Sequence, residues 1–388
     1  MRRSTRQSSC PTTRPIPRHR TSIDRQHDPL IGRILDGRFL LIERVGRGAY
    51  GAVYRAEQTS LHRDVAVKVL DASAQSEAGA AERFLREACA VSRVHHPNAV
   101  SIFDFGRTDD GLLYLAMELI QGVTLTELVA CSAPLALPRV IDFIAQVALA
   151  LEAIHRAGLA HADLKSDNLL VQPLPTGELI KVVDFGIARR LEPEPGEVMP
   201  AARAPATRRA SDDADDADDA DDADDADDEG LWIAPHVRGT PGYIAPEVIR
   251  GAAPDQAADV YAAGVVLYLL LTGELPFAGR YPGQILRRQL LAPVLPPSLV
   301  RPEVPASFDH LVLRATARDR DARYADAGAL RQAIEAVAME LAPGALPYAV
   351  FGRTAGSVRA VSPLPYPVVT RQDSHGAIPT PSTISDAY

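Results

Sequence analysis

Short runs of apolar residues, separated by glycine and polar residues, follow one another in the first third of the chain. Runs of about four to eight residues that end at turn residues predict β-strands. One longer run, Glu82 to Val94, has the spacing of a helix instead. The pattern therefore predicts a small lobe that is mostly β-sheet with one helix. The predicted strands cover residues 39–45, 52–56 and 65–70 and two segments near Val100 and Leu112.

The spacing of the apolar residues changes after Gly122. Successive apolar residues then lie four, three, four and three positions apart, which places one apolar face along a helix. The longest apolar run, Val260 to Leu271, has twelve residues, whereas a helix that crosses a bilayer needs about 20. We interpret this run as a buried helix in a larger, helical lobe. The helical patterns are Val140-Ile144-Val147-Leu151-Ile154 and the ranges 255–272, 283–291, 307–317 and 326–340.

Three segments lack such patterns. Residues 1–37 are rich in Arg, Ser, Thr and Pro, and residues 342–388 return to Pro, Ser and Thr, so we expect a disordered basic arm and a disordered tail. Residues 191–235 are rich in Pro, Ala and Asp and carry an Asp-Asp-Ala repeat from Asp212. We interpret them as a low-complexity insert in a folded domain. That domain is expected at residues 38–341, with its lobes at 38–121 and 122–341.

Composition narrows the class of protein. Apolar residues make up 46% and charged residues 23% of the 388 residues, which excludes collagen-like and wholly disordered chains. Without the thirteen acidic residues of 212–229, the formal charge changes from −9 to +4, so the acidity belongs to one segment and gives no reason to expect a nucleic-acid partner. The start of the chain lacks the apolar stretch of a secretory signal. The three cysteines are odd in number and lack metal-ligand spacing. We therefore expect a cytoplasmic protein without a membrane span.

A glycine-rich turn joins the first two predicted strands. It reads Gly46-Arg47-Gly48-Ala49-Tyr50-Gly51. Because glycine has no Cβ, backbone N–H groups in such a turn can approach phosphate oxygens closely. Alone the motif is weak, since most glycine-rich hairpins are only turns. A dinucleotide-binding fold would need a helix directly after the turn, and here a strand follows.

Lys68 ends an apolar strand, where an ammonium group is costly unless it meets a phosphate or a carboxylate. The chain has only three lysines against 38 arginines, so each lysine invites a specific reason. Glu87 on the predicted helix could pair with this ammonium group, and Glu82 on the same helix is the competing choice. The plain alternative is a lysine at a strand edge.

Two further segments combine carboxylates with groups that suit phosphate chemistry. The loop His161-Ala162-Asp163-Leu164-Lys165-Ser166-Asp167-Asn168 places a carboxylate, an ammonium group and an amide close together. Such a loop can hold an attacking hydroxyl, a transferring phosphoryl group and a metal ion. Asp184 follows a predicted strand and offers oxygen ligands of the kind that Mg²⁺ prefers. Each Asp alone is more often a turn or cap residue.

Taken in order, these segments resemble the eukaryotic-like protein kinases, and bacterial Ser/Thr kinases most closely. The resemblance covers about residues 39–340. It implies an α+β, two-lobed kinase fold that uses ATP and Mg²⁺ to phosphorylate Ser and Thr hydroxyls on proteins in signalling, including autophosphorylation. The motifs that carry it are the glycine-rich turn, Val65-Ala66-Val67-Lys68, the 161–168 loop, Asp184-Phe185-Gly186, Ala245-Pro246-Glu247, Asp259 and Arg323.

The resemblance also implies roles for individual residues. Asp163 would orient the substrate hydroxyl and accept its proton, and Lys165 would steady the γ-phosphate. Asn168 and Asp184 would bind magnesium, and Glu247 with Arg323 would form a structural ion pair. The remaining nucleotide-binding residues it implies are Gly46, Arg47, Gly48, Ala49, Tyr50, Gly51, Val53, Ala66, Lys68 paired with Glu87, Met117, Glu118, Ile120 and Leu170.

Two features depart from the family pattern. Ala162 stands where many members carry an arginine that binds a phosphorylated activation segment. The activation segment itself, Asp184 to Glu247, is unusually long and contains the acidic repeat. Loops longer than about 12–15 residues are commonly functional or disordered.

Three other classes of function stay open at this point. A pseudokinase would bind partners without phosphate transfer, but Lys68, Asp163 and Asp184 are all present. In a second alternative, the arm, insert and tail are the functional parts and the kinase domain is a tethering module. A small-molecule kinase is disfavoured by residues 239–247, which resemble a platform for peptide substrates. The substrate protein, the activating signal and the oligomeric state are not given by the sequence.

Overall fold

The structure is a computed structural model that describes residues 28–48, 51–70, 80–184, 189–190 and 239–341. Eleven strands and nine α-helices occur within these residues. The strands are β1 (Ile34–Leu35), β2 (Phe39–Gly48), β3 (Gly51–Gln58), β4 (Arg63–Leu70), β5 (Ile102–Arg107), β6 (Leu113–Met117), β7 (Val123–Thr124), β8 (Leu159–Ala160), β9 (Leu169–Leu174), β10 (Gly177–Val182) and β11 (Arg189–Arg190). The helices are α1 (Ala80–Val91), α2 (Leu125–Ser132), α3 (Leu137–Arg156), α4 (Pro246–Ile249), α5 (Gln256–Thr272), α6 (Pro282–Leu291), α7 (Pro297–Val300), α8 (Ala306–Ala315) and α9 (Ala327–Leu341). The insert and the tail expected at 191–235 and 342–388 lie outside the described residues.

The first six strands form one antiparallel sheet in the order β1-β2-β3-β4-β6-β5. Successive residues of a strand point to opposite faces of a sheet. Val65 and Val67 of β4 are therefore buried on one face with Tyr114, whereas Ala66 packs on the other face with Met117. With helix α1, this sheet confirms the predicted small lobe that is mostly β.

The chain joins this sheet earlier than the sequence suggests. Strand β1 pairs with the start of β2, and Leu35 is fully buried. The Tyr54 hydroxyl donates to the Asp28 carboxylate at 3.1 Å. Residues 28–37, which the sequence assigns to the basic arm, are therefore part of this lobe. The sequence does not reveal β1, because two apolar residues are too short a run to be recognised as a strand. Residues 1–27 lie outside the described part.

Helix α5 is the centre of the larger lobe. It is buried continuously from Ala258 through Leu271, which confirms the buried helix predicted there. A Cβ on Gly264 would lie 2.7 Å from the Cβ of Ala315 in α8, so the two helices approach closely at a position that only glycine allows. The other predicted helices correspond to α3, α6, α8 and α9, with ends within three residues of the predicted ones. No helix of the described residues is long and apolar enough to span a membrane.

Backbone hydrogen bonds connect the two lobes at strand β10. The Val100 N–H donates to the Val182 oxygen at 2.9 Å, and the Val182 N–H donates to the Asn98 oxygen at 2.7 Å. The Asn98 amide also donates to the Ile180 oxygen at 2.8 Å. Because β10 ends at Val182, the residues that follow it, including Asp184, emerge where the lobes meet.

Candidate active site

The loop after β8 brings three polar side chains to one carboxylate. Lys165 Nζ donates to Oδ2 of Asp163 at 2.9 Å. The Asn168 amide nitrogen donates to the Asp163 backbone oxygen at 2.8 Å and to its Oδ2 at 3.3 Å. The Thr240 hydroxyl accepts from Lys165 Nζ at 2.9 Å and donates to Oδ1 of Asp163 at 3.4 Å. The structure thus groups the predicted Asp163, Lys165 and Asn168 and adds Thr240 to them.

A second carboxylate fixes the backbone of this loop. Asp259, in the first turn of α5, is 1% exposed. It accepts hydrogen bonds from the N–H groups of His161 at 2.7 Å and Ala162 at 2.9 Å, and from His155 Nε2 at 2.9 Å. Ala162 has a φ of 66°, which residues with a side chain seldom adopt. The three bonds to Asp259 hold this conformation and so position Asp163, a role that the sequence did not assign to Asp259.

Lys68 and Asp184 face each other across the junction of the lobes. Lys68 Nζ donates to Oδ1 of Asp184, and the side chains are 12% and 37% exposed. Asp184 has a φ of 53°, which turns its carboxylate at the end of β10. The side chain of Glu87, the predicted partner of Lys68, lies outside the described residues, although its position falls in α1. Phe185 and Gly186 lie outside them too.

The glycine-rich turn connects β2 and β3. Gly46, Arg47 and Gly48 end β2, and Gly51 begins β3 directly opposite Gly48. A Cβ on Gly51 would lie 2.1 Å from the Val69 backbone oxygen, so no other residue fits here without moving the strands. Ala49 and Tyr50 at the tip lie outside the described residues. This close approach is to strand β4, and the approach of the turn to phosphate oxygens stays a prediction.

An apolar cluster lies beside these charged groups. Val53, Ala66, Met117 and Ile120 pack together with Val183 in it. Val53 lies opposite Lys68 in the β3–β4 register, so the cluster adjoins the ammonium group. Leu170, which the sequence also assigns to the adenine site, pairs with Lys181 in the β9–β10 register and is half-buried.

Glu118 has a partner that the sequence analysis did not identify. Lys181 Nζ donates to Oε2 of Glu118 at 2.8 Å, across 63 residues of sequence. The lysine side chain is 8% exposed and the glutamate side chain 29%. Lys181 is the third of three lysines in the chain. The rarity of lysine is the one sequence feature that indicates a specific role for this residue. Each of the three lysines is thus paired with a carboxylate.

Glu247 and Arg323 form the expected ion pair. Two parallel hydrogen bonds of 2.7 Å join the guanidinium to the carboxylate. The Arg323 side chain is fully buried and its guanidinium lies 5.1 Å from the centre of the Tyr261 ring. Burial raises the pKa of Tyr261 to about 12. The pair fixes α4 against α5 and touches none of the groups around Asp163, so its role is structural.

The oxygen atoms at the junction suit a magnesium ion. Because the Asn168 amide nitrogen donates to Asp163, its carbonyl oxygen is the atom left for a ligand. Asp184 has a second carboxylate oxygen beyond the one that meets Lys68. No group of three or more His, Cys, Asp or Glu that could hold a metal occurs among the described residues. Mg²⁺ does not need such a group, since one or two carboxylates and substrate phosphates suffice.

A small open cleft lies beside Asp163. The residues that line it include Ala162, Gly239, Thr240, Pro254, Ala258 and Ala262. Ala162 brings no charge to this cleft, whereas an arginine would. The cleft lies next to residues 239–247, the predicted platform for peptide substrates.

A two-lobed α+β fold with these charged groups where the lobes meet has the arrangement of a protein kinase. The "Protein kinase domain" family matches residues 39–332. The chain belongs to the protein kinase family, as its sequence motifs indicate.

Known relatives agree with this assignment. The chain is 34% identical over 346 residues to the serine/threonine-protein kinase pkn3 of Myxococcus xanthus, and the matched region covers 87% of this chain and 56% of the relative. It is 38% identical over 314 residues to Pkn1 of the same organism, covering 81% of this chain and 40% of the relative. It is 36% identical over 315 residues to PknL of Mycobacterium tuberculosis, covering 81% of this chain and 69% of the relative. The chain thus spans only about half the length of the two Myxococcus relatives.

The fold is also that of a solved bacterial kinase domain. The crystal structure of the Mycobacterium tuberculosis PknI kinase domain superposes with a TM-score of 0.55 and 26% sequence identity. The match covers 78% of this chain and 97% of that chain.

Proposed function

We propose that this protein transfers the γ-phosphoryl group of ATP to Ser and Thr hydroxyls of proteins, and that it acts in signalling. The observation that carries the proposal is the grouping of Asp163, Lys165, Asn168 and Thr240 in one loop region, opposite Lys68 and Asp184. The names of the relatives, which are serine/threonine-protein kinases, support the choice of substrate class.

Asp163 is the group that prepares the acceptor hydroxyl. Its Oδ2 already receives Lys165 and Asn168, so Oδ1 is the oxygen available to a substrate. In the transfer step the substrate oxygen forms a bond to the γ-phosphorus, and the bond from that phosphorus to the bridging oxygen of ATP breaks. The hydroxyl proton passes to Asp163, and ADP leaves. A positioned carboxylate of this kind contributes through orientation and proton acceptance.

The two lysines supply positive charge near the phosphates. Lys165 is held by Asp163 and Thr240, so its ammonium group is already oriented beside the acceptor site. Lys68 is anchored in β4 and shielded from solvent, which strengthens its attraction for phosphate oxygens. When bound, Mg²⁺ neutralises phosphate charge, and Asn168 and Asp184 are the residues that would hold it. Preoriented charges need no rearrangement during the reaction.

The apolar cluster of Val53, Ala66, Met117 and Ile120 is the proposed site of the adenine ring. Val53 lies opposite Lys68 in the β3–β4 register and opposite Gly46 of the glycine-rich turn in the β2–β3 register, so the ring would lie beside both. The cytoplasmic location expected from the sequence stays a prediction.

The proposal is tested by incubating the purified chain with labelled ATP, Mg²⁺ and a general protein acceptor, and by mapping the modified residues. We expect phosphate on Ser and Thr. Lys68→Met should abolish the transfer, because it keeps the aliphatic stem but removes the charge. Lys68→Arg is the matched control, because it keeps the positive charge but replaces the compact ammonium group with a planar guanidinium. Full transfer by Lys68→Met protein would contradict the proposal.

A further inference from the structure

Helix α6 is attached directly to the substrate platform, residues 239–247. Gln289 of this helix is 1% exposed. Its amide nitrogen donates to the Ile244 oxygen at 2.8 Å, and its amide oxygen accepts from the Gly242 N–H at 3.0 Å. Thr240 in the same platform contacts Lys165 and Asp163. A peptide whose hydroxyl reaches Asp163 therefore passes beside α6.

The outer side of α6 and the turns next to it carry three exposed arginines, Arg250, Arg280 and Arg288, which we call the α6 basic surface. Arg288 Nη1 donates to the Ala278 oxygen at 2.6 Å, which places its guanidinium beside the turn of Arg280. Arg250 follows α4, and α4 packs against α6. None of the three has a carboxylate partner among the residues that the structure describes.

Other arginines of the described residues do have carboxylate partners. Arg33 pairs with Asp110, Arg139 pairs with Glu178, and Arg331 pairs with Glu335.

The nearby acids are engaged elsewhere or lie at the edge of this region. Glu247 is taken by Arg323, and Asp255 is taken by Arg320. Glu274 is exposed, one residue before Leu275, which reaches Gly242. Arg318 is not part of the surface, because it lies at the other end of helix α6, where it donates to the Leu291 oxygen. Three positive charges against Glu274 leave an excess of positive charge beside the platform.

We propose that the α6 basic surface binds acidic residues of protein substrates, so that the enzyme prefers Ser and Thr residues flanked by Asp or Glu. This inference rests on the proposed function. Guanidinium groups bind carboxylates through paired hydrogen bonds. Complementary charge at a docking surface mainly speeds association and selects among partners. Salt screens the charges and so weakens this attraction.

The test uses three peptides with the same acceptor Ser and acidic, neutral or basic flanks, and measures kcat and KM for each. The wild-type chain should have its lowest KM for the acidic peptide, and this advantage should shrink at about 0.5 M salt. The triple variant Arg250→Glu, Arg280→Glu, Arg288→Glu should raise the KM for the acidic peptide by about 10-fold or more. Its kcat and KM for the neutral peptide should change by less than about twofold.

Two controls keep the result interpretable. Arg156→Glu reverses an exposed arginine at the end of α3, beside His96 of the other lobe, and should leave the acidic preference intact. If the triple variant fails to fold, the pair Arg250→Gln, Arg280→Gln removes two charges without touching the Arg288 hydrogen bond. An equal loss for acidic and neutral peptides, or a wild-type enzyme without preference, would overturn the proposal.

The chain's own acidic residues, 212–229, are a second source of carboxylates close in sequence to the platform. A chain with those Asp residues replaced by Asn separates the two sources. If an acidic preference appears only in that chain, the repeat occupies the surface and our proposal for the wild-type chain is wrong. If no peptide receives phosphate, the proposed function has failed instead. Fluorescence anisotropy with a labelled acidic peptide then still tests the surface, since the triple variant should bind it about 10-fold more weakly.

Discussion

The two carboxylate oxygens of Asp163 have different neighbours. Oδ2 receives the Lys165 ammonium group and the Asn168 amide, whereas the one hydrogen bond to Oδ1 from the described residues comes from the Thr240 hydroxyl, at the longer distance of 3.4 Å. The long contact leaves Oδ1 as the oxygen that a substrate hydroxyl can approach. Thr240 therefore positions Lys165 without blocking the carboxylate.

Lys181 and Glu118 are the residue pair with the clearest expected effect on stability. Lys181→Met leaves the partly buried Glu118 carboxylate without its cation, so the free energy of unfolding should fall by about 1–3 kcal/mol. Glu118→Gln should cost less, and the double variant should cost less than the sum of the two. Urea unfolding of the four proteins measures this coupling. Additive losses would mean that the ion pair contributes nothing beyond its two side chains.

At the scale of elements, helix α3 meets the β9–β10 hairpin through a polar network. Gln146 accepts from the Ile180 N–H at 2.8 Å and donates to the Glu178 oxygen at 3.0 Å and to Asp142 at 3.1 Å. Arg139 pairs with the Glu178 carboxylate through two bonds of 2.7 Å. Burial is the main cause that raises the pKa of Asp142 to about 6; the Gln146 hydrogen bond opposes the rise and the nearby Glu178 adds to it.

The raised pKa of Asp142 predicts how stability changes with pH. The folded chain holds this proton more tightly than the unfolded chain, whose Asp has a pKa of about 3.9. The contribution of Asp142 to stability is therefore fully present below pH 4 and is lost as the pH rises through about 6. Asp142→Asn, which can still accept from Gln146, should stabilise the fold by about 1 kcal/mol at pH 7.5 and by nothing at pH 4. Thermal unfolding across this range checks it, and a gain that is independent of pH would contradict it.

The activation segment, Asp184 to Glu247, has few sites where a phosphate could act as a switch. We therefore predict that the enzyme is active without phosphorylation of this segment. Ala162 has no charge with which to bind a phosphate, and its backbone is fixed by Asp259. No Ser, Thr or Tyr occurs between Asp212 and Gly239. A phosphate on Thr207 or Ser211 would add about −2 next to twelve aspartates, which repel it.

Phosphatase-treated protein and the Thr207→Ala, Ser211→Ala variant should therefore keep most of their activity toward an added substrate. Initial rates before and after phosphatase treatment give the measurement. If either change abolishes activity and phosphorylation restores it, the prediction is wrong. A residue other than Ala162 would then bind the phosphate.

At the scale of the whole molecule, periodic segments were predictable and distant contacts were not. The strands around Lys68 and the helices α3 and α5 have long or strongly patterned runs, so the sequence located them. Strand β1 has two residues and α4 has four, too few to show a period. The Asp163 loop was visible because its residues are neighbours in sequence.

The contacts that fix that loop depend on the fold. Asp259 and His161 lie 98 residues apart, and Thr240 and Lys165 lie 75 apart. A local sequence pattern does not predict a hydrogen bond between residues so far apart in the chain. The roles assigned to Asp163 and Lys165 came from resemblance to the family, and the structure added which atoms they contact.

The central claim is that Asp163 orients and deprotonates the acceptor hydroxyl, and phosphoryl transfer by Asp163→Asn protein tests it most directly. Asparagine keeps the size of the side chain and a contact for Lys165 but cannot take the proton. We expect kcat to fall by about 10²-fold or more, with ATP affinity within about threefold of the wild-type value. Unchanged turnover in this variant, with ATP still bound, would contradict the account.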